Sequence, residues 1–275
     1  MVARLGGTLS AILIFVATAN AERVVSVGGP ITEIIYALGQ EATLVGVDTS
    51  SIYPEAATKL PQVGYQRLLA AEGMLSLRPT LIIATEDAGP PTTIEQVKAS
   101  GVRIVIVPGL HSIAGVKEKI RAVAHALNCE PKGEEVVHAL EADEAKLAAK
   151  FVDTPHVLFI YARGGGVFNV SGEGTAADSM ISLSGGVNAV RGYHGYKPLT
   201  PEAAVTAAPD VILISTRGLE SVGGVDKLLT QGGLALTPAG KNRRIIAMDE
   251  LYLLGFGPRT GRAVQELAAR LHEGN

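Results

Sequence analysis

Residues 78–85 read R-P-T-L-I-I-A-T, and residues 208–215 read A-P-D-V-I-L-I-S. Each is a proline followed by a short uninterrupted apolar run, the pattern of a strand buried on both faces. A second pair follows the first. G-V-R-I-V-I-V-P at 101–108 has its counterpart in N-R-R-I-I-A-M-D at 242–249. Upstream the match extends to a carboxylate: Glu72 stands seven residues before Pro79, and Glu202 stands seven residues before Pro209. Each glutamate opens a short helical segment that feeds a buried strand. The chain describes one α/β unit twice.

Working outward, strands and helices alternate in both halves. In the first, R-V-V-S-V-G at 23–28 is a strand, and a helix over 32–38 enters through Pro30 and closes at Gly39. Apolar runs at 44–47 and 81–84 are further strands, and Thr92 or Thr93 caps a helix that ends at Gly101. In the second half V-L-F-I-Y at 157–161 is a strand. T-A-A-D-S-M-I-S-L-S-G-G at 175–186 is a helix with glycine at its end. Between the halves, 113–128 and 133–150 have the charged composition of amphipathic helices. Val137, Leu140, Leu147 and Phe151 keep one face of the second apolar. These patterns predict an α/β protein of two similar lobes, 22–130 and 154–275. A rigid helix over 131–153 joins them, with a ligand cleft between.

The first 21 residues stand apart. Arg4 is a basic start, 9–17 is a short apolar run, and Ala19-Asn20-Ala21 is a cleavage site. That is the pattern of a secretory signal peptide, too short for a membrane anchor. The only cysteine, Cys129, is far from the cleavage point, so an unlipidated periplasmic protein is expected. A net charge of −3 gives no footprint for nucleic acid. The chain is expected to act as a monomer.

Enzyme signatures are missing. The first strand is not followed by G-x-G-x-x-G, and neither a Walker A sequence nor a G-x-S-x-G elbow occurs. The six histidines, at 111, 125, 138, 156, 194 and 272, show no metal-ligand spacing. Gly164, Gly165 and Gly166 form a loop that lets the backbone approach something closely. The unusual feature is V-G-Y-Q-R at 63–67, in a chain with only seven tyrosines. In an extended loop Tyr65 and Arg67 project to one side. A neighbouring cation favours a phenolate, a hard oxygen ligand for ferric iron, and tyrosine serves as an axial ligand of heme. Arg67 could instead pair with a carboxylate of a ligand. On spacing alone, such a pair in a loop is usually surface decoration.

The run L-P-Q-V-G-Y-Q-R-L-L-A-A-E-G-M-L-S-L-R-P-T-L-I-I at 60–83 resembles the N-lobe signature of periplasmic heme-binding proteins that serve bacterial heme ABC importers. The likeness also takes in R-V-V-S-V-G-G-P-I-T-E-I-I-Y-A-L-G, G-T-A-A-D-S-M-I, G-Y-K-P-L-T-P-E and G-F-G-P-R. It implies two Rossmann-like lobes bridged by a long helix with little hinge motion. Tyr65 would be the axial ligand of ferric heme, with Arg67 supporting the tyrosine or the heme environment. Glu72 and Glu202 would present one carboxylate per lobe to the membrane permease, unless they serve only as helix caps. Some relatives hold a second heme through a histidine after the first C-lobe strand, where this chain has Arg163, so a single heme is expected. Arg163 and Arg259 would pair with propionates. In R-G-Y-H-G-Y-K at 191–197, Tyr193, His194, Tyr196 and Lys197 either join the heme environment or form a polar surface loop. A siderophore or corrinoid carrier is the alternative, and an enzyme with a Rossmann-like fold is the remote one.

Overall fold

The computed structural model describes residues 22–146, 153–163 and 168–273. The expected signal peptide, Leu147, Phe151 and the glycines at 164–166 lie outside them. β1 (Val24–Val27) leads into α1 (Gly29–Ala37), and β2 (Leu44–Val47) returns beside it. A hairpin of β3 (Gly64–Tyr65) and β4 (Leu68–Leu69) precedes the short α2 (Ala71–Leu75). Then come β5 (Leu81–Thr85), α3 (Pro91–Ala99) and β6 (Arg103–Val107). The order β2-β1-β5-β6 makes one parallel sheet. Two helices, α4 (Ile113–Ala126) and α5 (Glu130–Ala145), lead onward.

The second half opens with β7 (His156–Ala162), β8 (Phe168–Ser171), α6 (Ala176–Leu183), β9 (Val187–Asn188) and β10 (Tyr196–Pro198). It continues through α7 (Pro201–Ala207), β11 (Val211–Ser215), α8 (Thr216–Ser221) and α9 (Val225–Leu229). α10 (Pro238–Lys241), β12 (Ile245–Met248), α11 (Glu250–Leu254) and α12 (Thr260–His272) complete it. This sheet runs β10-β8-β7-β11-β12, with β9 also on β7. Its parallel segment β7-β11-β12 repeats β1-β5-β6, while β8 and β10 add antiparallel strands.

The duplication holds at the level of single hydrogen bonds. Arg78 and Ala208, each just before the repeated proline, adopt left-handed backbone with φ of 49° and 41°. Such a residue ends a helix abruptly and turns the chain toward the next strand. The residue after each proline then staples that strand to the start of its neighbour. The Arg23 N–H donates to Thr80 Oγ1 at 2.9 Å, and the His156 N–H donates to Asp210 Oδ2 at 2.8 Å. Local signals set most helix starts: Thr175 Oγ1 accepts from the Asp178 N–H, and Ser112 Oγ accepts from the Gly115 N–H. α3 differs from expectation. It begins at Pro91, a residue suited to a first helical position, and this places Thr92 and Thr93 inside it. The Thr93 hydroxyl donates instead to the Leu69 carbonyl and ties α3 to the hairpin.

One apolar cluster crosses from half to half. It runs from Val24 and Ile83 of the first sheet through Ile34, Ile120, Val123 and Leu140. From there Val264 and Leu267 of α12 carry it to Val157 and Phe159 of the second sheet. Polar bonds reinforce the seam. Arg259 donates to both oxygens of buried Glu33 at 2.7 and 2.9 Å, and its guanidinium lies 3.5 Å from the Tyr53 ring centroid. Lys119 of α4 donates to the Phe256 carbonyl at 3.0 Å.

Two measurements test the seam. Glu33→Ala leaves the Arg259 charge without its anion, so the unfolding free energy should fall by about 3 kcal/mol, read as a lower urea midpoint at unchanged slope. Burial pulls the Lys119 ammonium from 10.5 down to about 8, against an opposing pull from Glu86. Between those values the unfolded chain binds more protons than the folded one, so stability rises with pH across this window. Relative to Lys119→Met, the wild-type protein should gain about 3 kcal/mol between pH 8 and 10.5.

Candidate functional site

A cleft of about 1010 Å³ opens between the two sheets, at the carboxyl ends of their parallel strands. In open α/β sheets that edge is where ligands bind, because loops and helix starts converge there. From the first half it is lined by the β3–β4 hairpin, the residues after β5, and His111 beyond β6. The second half supplies the end of β7, the start of α6, Tyr196 of β10, Arg217 of α8 and the helix α11. A smaller hollow of about 200 Å³ lies beside Arg243, Arg244 and Arg270. Those guanidiniums are already bound to Asp226 and to the main-chain carbonyls of Leu271 and Ala247, so the larger cleft carries the chemistry.

Tyr65 is held in the cleft by main-chain geometry. Gly64 adopts a φ of 103°, a conformation that glycine tolerates, and turns the chain into the hairpin. The hairpin is fixed at both ends: the Thr49 N–H donates to the Gly64 carbonyl, and the Gly89 N–H donates to the Gln66 carbonyl, each at 2.9 Å. The same loop after β5 carries Asp87, which forms an ion pair with Arg67. Tyr65 lines the cleft together with two arginines that interact with it electrostatically, Arg67 from its own half and Arg163 from the other. The expected neighbours Tyr65 and Arg67 both line the cleft, and Arg163 joins them from across it.

The other tyrosines of the cleft are differently placed. The rings of Tyr161 and Tyr196 pack with centroids 5.8 Å apart at 51°, and Arg163 lies 5.0 Å from the Tyr161 ring centroid. Burial pushes the Tyr161 phenol up, although Arg163 pulls it down. Burial likewise pushes Tyr196 to about 12; its ring is exposed to solvent overall, but its hydroxyl is enclosed beside Thr175. Burial and the nearby Lys119 both lower the His111 imidazole, against Asp87 and Glu86, so it is neutral at physiological pH. Among the described residues no group of three or more His, Cys, Asp or Glu could hold a metal ion.

Four of the expected ligand residues line the cleft: Tyr65, Arg67, Arg163 and Tyr196. Four do not. Arg259 is committed to Glu33 at the seam. Tyr193 donates to the Val170 carbonyl at 3.1 Å, Lys197 stacks 4.4 Å over the Tyr193 ring centroid, and the main chain of His194 forms an isolated β-bridge with that of Glu173. The loop at 191–197 folds back on β8, which leaves Tyr196 alone facing inward. Sequence reasoning overlooked Tyr161, Asp87, Arg217 and Glu250. The first carried a signal, because Tyr161-Ala162-Arg163 repeats the spacing of Tyr65-Gln66-Arg67.

Glu72 and Glu202 both lie exposed in the first turn of a short helix, α2 and α7. Among the described residues neither carboxylate has an ion-pair partner. Thr200 caps α7 by accepting from the Ala203 N–H at 3.2 Å, so Glu202 is not needed for that bond.

With this arrangement, the chain belongs to the periplasmic binding protein family, whose pattern matches residues 24–252. Individual relatives sharpen the placement. The periplasmic heme-binding protein RhuT from Roseiflexus sp. RS-1 is 50% identical, with a TM-score of 0.90 over 92% of this chain and 99% of that one. The periplasmic heme-binding protein BhuT, solved in complex with two hemes, is 44% identical, with a TM-score of 0.86 over 91% and 97% of the two chains. The vitamin B12-binding protein of Vibrio cholerae is 25% identical over 252 residues, 91% of this chain and 89% of that protein. Among the described residues no helix is long and apolar enough to cross a membrane.

Proposed function

We propose that this protein captures ferric heme in the periplasm and delivers it to the permease of an ABC importer. The observation that carries the reading is Tyr65, which lines the cleft beside arginines from both halves, Arg67 and Arg163. A tyrosine oxygen is a hard ligand that suits ferric iron. Ile52, Leu251 and Leu254 offer apolar surface to the macrocycle, while Arg163 and Arg217 stand ready for its carboxylates. The cleft lies at the upper end of the range of about 300–1,000 Å³ usual for ligand sites. Similarity favours heme over a corrinoid: 50% and 44% to heme-binding proteins, against 25% to a vitamin B12-binding protein.

Export through a cleavable, unlipidated leader at 1–21 and the two-lobe division at 22–130 and 154–275 are part of the same reading. Glu72 and Glu202 are the docking carboxylates. Their exposure, their lack of ion-pair partners and their repeated position support recognition by two like halves of a permease.

Tyr65→Ala should lose the phenolate-to-iron absorption of the ferric complex and weaken hemin binding at least roughly tenfold, measured by visible titration. An unchanged spectrum would remove Tyr65 as the ligand, and binding of hydroxocobalamin in place of hemin would turn the reading to a corrinoid carrier. The paired substitution Glu72→Lys and Glu202→Lys should leave that spectrum intact yet abolish transfer into vesicles carrying the importer. Normal transfer would reduce both carboxylates to helix-dipole partners.

A further inference from the structure

Both guanidiniums beside Tyr65 are engaged by carboxylates of the cleft wall. Arg67 pairs with Asp87, two residues beyond β5, and Arg163 lies 3.7 Å from Glu250, two residues beyond β12. Each half thus supplies one tyrosine, one arginine two residues later, and one acidic partner. Among the described residues Asp87 and Glu250 have no other ion-pair partner. Glu86 is a separate case, because it faces the buried Lys119, although both Glu86 and Asp87 act on His111.

The pairs are well placed for exchange. The Arg67 and Asp87 side chains are 56% and 55% exposed, and ion pairs this open are weak. A ligand carboxylate that arrives with its own desolvated face can replace either wall carboxylate, and the displaced group swings into water. A ligand without anions offers no replacement. It must either break a pair or cover one with apolar surface, and covering charges without improving their partners is costly. Selectivity then arises as a difference between two ligands rather than as a gain for one.

We propose that Asp87 and Glu250 act as internal competitors for the ligand's carboxylates. They hold Arg67 and Arg163 in place for a dicarboxylate porphyrin and set a threshold that esterified or neutral macrocycles fail to pass. This inference rests on the heme reading and assigns the cleft's acidic residues a part in specificity. It makes Asp87 and Glu250 positioning residues, acting through the arginines and without contact to iron.

The test compares hemin with its dimethyl ester, titrated into wild-type protein, Asp87→Asn and Glu250→Gln. Removing a competitor should tighten hemin roughly two- to fivefold per variant, the range for an exposed ion pair, and leave the ester no tighter. Hemin bound no more tightly by either variant would overturn the inference, as would an equal gain for hemin and ester. The wild-type spectrum separates the two levels. If wild-type protein binds no hemin, the functional reading fails and the inference with it. If wild-type protein binds hemin through Tyr65 and the variants do not tighten, only the inference fails. Unchanged melting temperatures of the two variants confirm that the comparison reads binding.

Discussion

The site depends first on the apolar packing that runs from the first sheet through α4, α5 and α12 to the second. The distance between the halves is set there. Tyr65 belongs to one half and Arg163 to the other, yet both must face the same cleft closely enough to interact. Close-packed side chains transmit position with little slack, so a seam filled by Ile120, Leu140 and Val264 fixes the cleft width. The Glu33–Arg259 pair and the Lys119–Phe256 bond add directional restraint where apolar contact has none.

Much of this fold was legible in the sequence because it was written twice. The repeated proline-led strands identified both parallel sheets, and the equal spacing of Glu72 and Glu202 anticipated their equivalent places on α2 and α7. Helix starts were readable where a hydroxyl supplies the cap, as at Thr175. The start of α3 was missed because Pro91 itself opens that helix and Thr93 serves a tertiary contact. The added antiparallel strands β8 and β10 have no counterpart in the first half, so the repeat could not reveal them.

The site was legible only in part, for a related reason. Tyr65 and Arg67 are neighbours in sequence and share a hairpin, so their pairing is local. Their partners come from elsewhere: Asp87 from beyond β5, Arg163 from the end of β7 and Glu250 from α11. The misplacement of Arg259 teaches the converse. Sequence marked it as a cation in a glycine-rich loop, and the structure pairs it with a buried carboxylate on α1. The loop at 191–197 likewise looked uniform, yet one strand of three residues turns Tyr196 inward while its neighbours pack elsewhere.

That short strand has one more effect. β10 is the open rim of the second sheet, a row of main-chain groups to which a foreign strand could add. Its last residue, Pro198, has no N–H to offer, and the residue before it, Lys197, carries a charge. The strand that brings Tyr196 to the cleft is thereby also the one that refuses extension, which protects a β-rich edge from aggregation.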